Sequence, residues 1–196
     1  MTYPYKAVYL LRLLAVASSL SPFAVFTAPL MAQSTAVPAV IQAPPGNEEY
    51  LRASATGTEN YMCMPSGWTF IGPQATLIVK IANMRQQVAT HFLSPNPDEA
   101  GTARATWQSS LDTSSVWAKA IASSSDFAAT GAIPWLLLQV VGAEKGPGGG
   151  SGISETTYIQ RVNTTGGMAP TTPCLVEMRA FVPYTAAYVF YRKAAN

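Results

Sequence analysis

Beyond Asn47, short apolar stretches rich in β-branched and aromatic residues alternate with clusters of Gly, Pro, Ser and Asn. Strands joined by turns produce this pattern, because side chains on a pleated ribbon point alternately to two faces while Gly and Pro interrupt the ladder. The first three candidates are residues 56–64, ended by Pro65-Ser66-Gly67, then 68–71, then 75–81 after Gly72-Pro73. Residues 103–109 and 116–122 bracket the polar stretch Leu111-Asp112-Thr113-Ser114 and predict a hairpin. Residues 133–141 form an almost unbroken apolar run between Gly131 and Gly142, which predicts a strand buried on both faces. Residues 156–163 and 186–192 complete the set. In the last of these, Ala187, Val189 and Tyr191 face one way and Tyr188, Phe190 and Arg192 the other.

Helix signals are sparse. Residues 81–91 are the one run of good helix formers, with Met84 and Val88 on one stripe, and read either as a short helix or as strand plus loop. Residues 146–152 (GPGGGSG) read as the flexible tip of a hairpin. The pattern predicts a mostly β chain with little helix: a single-domain antiparallel β-sandwich or partly open barrel.

The N-terminus has a different texture. Lys6 precedes an apolar stretch running from Ala7 to about Phe26, interrupted by Arg12, and small residues follow up to Ala32. This is the three-part layout of a secretory signal peptide cleaved after Ala32. Ser18, Ser19, Ser21 and Pro22 break the stretch short of the roughly 20 apolar residues a spanning helix needs, so no membrane span is expected in the mature form. The expected organisation is a signal peptide over 1–32, a Pro-rich linker or arm over 33–46 and a β-rich domain over 47–196, located outside the cytoplasm as a secreted or periplasmic protein.

Composition narrows the picture further. Forty-eight per cent apolar residues, with four Trp, nine Tyr and seven Phe, exclude a wholly disordered chain. Loss of 1–32 removes Lys6 and Arg12, which leaves ten basic residues against ten acidic ones in the mature chain and no basic stripe for nucleic acid. Export makes the two cysteines informative, since an even number in an oxidising compartment pairs, and Cys63 with Cys174 is the expected disulfide. Closing a loop of about 100 residues stabilises by roughly 4.7 kcal/mol in the chain-entropy treatment. Two Cys and one His are too few for a structural zinc site, and no metal is expected.

Several chemistries lack their residues. The run at 146–152 does not satisfy G-x-G-x-x-G, and the chain has no phosphate-binding G-x-x-x-x-G-K-[ST], no G-x-S-x-G and no H-E-x-x-H. No cofactor is expected. His91 is the sole imidazole and sits ahead of Ser94-Pro95-Asn96-Pro97, a loop-like setting. Glu48-Glu49 and Asp98-Glu99 read as solvated loop charges. The densest polar cluster surrounds Tyr158, Gln160 and Arg161, ahead of Gly166-Gly167. Arg161 offers a fork of donors to a polar ligand, or else pairs with a carboxylate such as Glu177 or Glu155 to hold two strands together. Trp107 and Trp135 join Tyr158, Gln160 and Arg161 as candidate ligand-binding residues; core packing is the competing use of Trp and Tyr. Asn163-Thr164-Thr165 matches the glycosylation acceptor, which has meaning only in a eukaryote.

Four ordered blocks carry a family resemblance: Ala55-Thr56-Gly57-Thr58-Glu59-Asn60-Tyr61-Met62-Cys63; Ala132-Ile133-Pro134-Trp135-Leu136-Leu137-Leu138; Tyr158 through Gly167 with Ala169-Pro170 and Cys174; and Val182 through Tyr191. Together they resemble the exported family known as domain of unknown function 3455, over about Glu49 to Tyr191. The resemblance implies a secreted bacterial or fungal domain without an established activity. Members are sometimes labelled malate dehydrogenase, which the missing dinucleotide fingerprint argues against. One block departs: where the family tends to have a Trp-Glu pair, this chain has Trp107-Gln108.

These observations favour a non-catalytic exported module that binds a small molecule, a glycan or an envelope component. A hydrolase using Arg161, Tyr158 and a carboxylate, and a purely structural surface protein, are the alternatives.

Overall fold

The computed structural model describes residues 37–126 and 128–195, so the expected signal peptide lies outside the described residues. Eight strands follow one another: β1 (Asn47–Met64), β2 (Gly67–Ile81), β3 (Met84–Asn96), β4 (Thr102–Ser109), β5 (Ser115–Ser124), β6 (Trp135–Glu144), β7 (Thr156–Gly166) and β8 (Arg179–Lys193). Each pairs antiparallel with its neighbours in sequence, and β8 returns to β1 to close the sheet. The chain is therefore an up-and-down β-barrel rather than a sandwich, and closure removes the unpaired edges an open sheet exposes.

Two sequence expectations change and one open reading is settled. Residues 68–71 and 75–81 belong to one strand, β2, with a register shift opposite Asn60 and Tyr61 where a turn at Gly72-Pro73 was expected. Residues 81–91 contain no helix: β2 ends at Ile81, a tight turn carries Ala82 at φ 53°, and β3 begins at Met84. The strand-plus-loop reading holds, because residues 84–91 ladder with β2 and residues 89–96 with β4, and that pairing overrides helix propensity. The Gly-rich connection at 146–152 is held down, since Gly152 N donates to Asp112 Oδ2 at 2.7 Å and Gly146 N to the Gly150 carbonyl at 2.9 Å.

Alternation along the strands sorts the core into two layers. Inward residues from all eight strands, among them Ala53, Leu77, Ala89, Trp107, Val116, Leu138, Ile159, Tyr188 and Phe190, fill the barrel. A second cluster of Trp135, Leu137, Val162 and Val189 lies on the outside of β6, β7 and β8, beneath Ile41. Residue 41 comes from a short 3-10 turn, Ala39–Ile41, so part of the expected linker packs as an arm across the barrel wall. The arm explains why β6 is apolar on both faces: Leu136 and Leu138 look inward while Trp135 and Leu137 are covered from outside.

Cys63 and Cys174 form the expected disulfide across a separation of 111 residues. It pins the β7–β8 connection to the end of β1, where Cys63 N donates to the Met178 carbonyl and Glu177 N to the Cys63 carbonyl. Among the described residues no helix is long and apolar enough to cross a membrane.

Candidate functional site

At the end of the barrel carrying the disulfide, the inward side chains leave a cavity of about 430 Å³. Small inward residues make the room: Ala105 on β4, Ala118 and Ala120 on β5, facing Ile133 and the β6 residues Leu136 and Leu138. The wall is also split there. The β4–β5 ladder stops at Ala105 opposite Ala118. Residues 102–104 stay with β3 and residues 119–124 stay with β6. Arg104, paired with Glu99, stands on one lip of the split and Lys119 on the other.

The polar floor is built by strand register. Glu59 points inward in phase with Ala55, Tyr61 and Cys63 on β1, and its residue is only 3 % exposed. Arg161 on β7 lies directly across from Leu136 on one side and Tyr188 on the other. Its Nη1 meets Glu59 Oε1 at 3.2 Å, and its Nε and Nη2 donate to the Pro134 carbonyl at 3.3 and 3.1 Å. Burial pushes the Glu59 carboxyl up to about 7 from 4.5, with Arg161 opposing the shift. Gly167, at φ 84°, lets the β7–β8 connection pass Glu59: a Cβ there would come within 3.1 Å of the Glu59 side chain and 3.0 Å of Ile133. The Gly167 carbonyl in turn accepts from the Tyr61 hydroxyl at 2.6 Å.

His91 and Trp107 are direct cross-strand partners on β3 and β4, and their rings stack at 4.1 Å with planes 7° apart. Tyr188 meets the imidazole edge-on at 5.2 Å. His91 Nδ1 lies 2.9 Å from the Thr106 carbonyl, which can only accept; Nδ1 therefore carries the proton and Nε2 a free lone pair. Burial lowers the imidazole to about 3, against the Thr106 hydrogen bond and helped by Arg161, so it is neutral at ordinary pH. The Tyr184 and Tyr188 hydroxyls sit 3.3 Å apart, and burial raises both phenols.

The structure divides the five candidate ligand-binding residues. Arg161 and Trp107 line the cavity. Tyr158, Gln160 and Trp135 lie on the opposite face of the wall, under the arm: Gln160 Nε2 donates to the Ile41 carbonyl at 2.6 Å, the Tyr191 hydroxyl donates to Gln160 Oε1 at 2.7 Å, and Tyr158 and Trp135 pack in the outer cluster. Alternation is the reason, since residues 158 and 160 share one face of β7 and Arg161 the other. Three more readings are corrected. Arg161 pairs with Glu59 rather than Glu177 or Glu155, and His91 is a buried strand residue rather than a loop histidine. Glu48 and Glu49 stand in β1, bonded to Arg192 and Arg52.

Sequence reasoning passed over Glu59, His91 and Tyr188 as site residues. The signal for Glu59 was its place in an inward phase otherwise made of small and aromatic residues.

Among the described residues no group of three or more His, Cys, Asp or Glu side chains is arranged to hold a metal ion. The fold and cavity define a closed eight-stranded antiparallel barrel with a small, mainly apolar lumen and a buried polar floor. A family model described as "Protein of unknown function (DUF3455)" matches residues 44–192, and the chain belongs to that family. No curated protein and no solved structure matches it significantly.

Proposed function

We propose that this protein is an exported barrel that binds one small, largely apolar molecule in its lumen without transforming it. The cavity carries this reading. Eight-stranded barrels have interiors that either fill with side chains or hold one small ligand. Here the Ala-lined wall leaves about 430 Å³, within the roughly 300–1,000 Å³ usual for small-molecule sites. Its lining combines aliphatic and aromatic walls with a few convergent polar groups, the usual make-up of a binding pocket. The split between β4 and β5 supplies a route in. Arg161 supports a binding role over catalysis, because three of its donor contacts already go to Glu59 and Pro134.

The test is calorimetric titration of the mature protein with 2-methoxynaphthalene, beside the Ala118→Phe variant that fills the lumen. Saturable binding by the wild type and its loss in a folded variant support the reading; equal binding by both places the site elsewhere. Export is checked by the mass of the secreted protein, expected to begin at Gln33.

A second reading, hydrolysis, draws on Glu59, whose carboxyl near 7 suits a general acid or base. It would require Glu59→Gln to abolish turnover of an ester or glycoside while binding persists.

A further inference from the structure

The lumen's polar groups are unevenly spent, and this points to a ligand class, an inference that rests on the binding reading above. On the donor side, the Tyr61 hydroxyl is committed to the Gly167 carbonyl, His91 Nδ1 to the Thr106 carbonyl, and Arg161 to Glu59 and Pro134, while the Trp107 indole N–H is unpaired but buried away from the cavity surface. On the acceptor side, His91 Nε2 and Glu59 Oε2 have no protein partner among the described residues, although both side chains line the cavity. Neither atom is sealed from the cavity, so a ligand that displaces water from them and donates in its place gains affinity over one that leaves them unpaired. The Tyr184–Tyr188 pair uses one of its two hydroxyl protons internally and keeps the other for an acceptor. A hydroxyl group answers both needs, because it donates and accepts.

Charge narrows the class further. At the floor of the lumen Arg161 is ion-paired to Glu59, so a charged group seated there would lose its hydration with no free counter-ion beside it; Arg104 and Lys119 stand at the lip of the split, where Arg104 is paired with Glu99 and Lys119 is exposed to solvent. The remaining wall is aliphatic and aromatic, with His91 stacked on Trp107, which suits a flat ring body.

We propose that the lumen selects a small, uncharged aromatic or alicyclic molecule bearing a hydroxyl group, with His91 Nε2 as the acceptor that reads it. The imidazole serves this role because it is neutral and its tautomer is fixed by Thr106.

The experiment compares three probes of nearly equal shape by calorimetry at neutral pH: 2-naphthol, 2-methoxynaphthalene and 2-naphthoate. 2-Naphthol is expected to bind about tenfold tighter than its methyl ether, the effect of one hydrogen bond to an otherwise unpaired acceptor, and 2-naphthoate weakest of the three. His91→Phe keeps a ring against Trp107 and should erase the preference while leaving the ether's affinity in place; His91→Gln retains an acceptor and should restore part of it. The wild-type ratio stands as a test even if a variant misfolds. Equal affinity for naphthol and its ether, or preference for naphthoate, overturns the hydroxyl inference and leaves the binding reading standing. Failure of all three to bind overturns both.

Discussion

Glu59 and His91 pull the pH dependence of stability in opposite directions, and separating them tests the electrostatics of the lumen. The Glu59 carboxyl is raised from 4.5 to about 7 in the fold, so between those values the native state holds a proton the unfolded chain has released. Its contribution is present at acid pH and is lost as pH rises through about 7. The His91 imidazole is lowered from 6.5 to about 3, so there the unfolded chain binds the proton and the native state does not. Its contribution is present at neutral pH and is lost as pH falls from 6.5 toward 3. Each group supplies a slope of about 1.4 kcal/mol per pH unit at full effect. From pH 6.5 to 4.5 the two slopes nearly cancel in the wild type. Removing one exposes the other. Over that interval His91→Phe should gain about 2–3 kcal/mol, and Glu59→Gln should lose a similar amount, each relative to the wild type. Urea unfolding followed by Trp fluorescence, disulfide intact, at half-unit steps of pH measures all three curves. Parallel curves would refute the burial of either charge, and slopes of the same sign in the two variants would refute the assignment of their causes.

Three further outcomes are expected. Reducing the Cys63–Cys174 bond, or replacing both residues with Ala, should lower stability by about 2–5 kcal/mol in denaturant titration, because the bond ties the β7–β8 connection to β1. Ile41 is wholly buried against Trp135, Leu137, Val162 and Val189, so Ile41→Ala should cost about 2–5 kcal/mol; a loss below about 0.5 kcal/mol would show that the arm does not clasp the wall. Asp112 accepts from Gly152 N and from Ser114 N and Oγ, contacts that hold its carboxyl well below the usual range. Asp112→Ala should therefore speed amide exchange at Gly152 and Ile153 by an order of magnitude or more, with the lumen probes unaffected.

Local signals in the chain reached some way into this architecture. The strand at 133–141 was legible because a continuous apolar run between glycines has few other uses. The hairpin across Leu111 to Ser114 was legible because its tip is polar and short. The two faces of β8 followed from a period of two: Ala187, Val189 and Tyr191 on the outside, Tyr188 and Phe190 inside. β3 stayed undecided between helix and strand plus loop because its first half is made of helix formers, and the unity of β2 was missed because Gly72-Pro73 sits at a bulge that looks like a turn. Tyr158, Gln160 and Arg161 were grouped by adjacency, although neighbouring strand positions diverge by half a turn.

The sequence by itself determined the β class, the pairing of Cys63 with Cys174 and the two faces of β8, because these depend on local periodicity, turn chemistry and the count of thiols. It could not determine which of two phases is the lumen. That depends on closure: only when β8 meets β1 do Glu59, His91, Trp107, Arg161 and Tyr188, spread over more than a hundred residues, turn toward one enclosed space. The arm then covers the other phase of β6 to β8, and a face that reads as a second interior becomes a wall. Burial of the Glu59–Arg161 pair and the neutral state of His91 follow from the same event, since a charge is costly only once the barrel has shut water out.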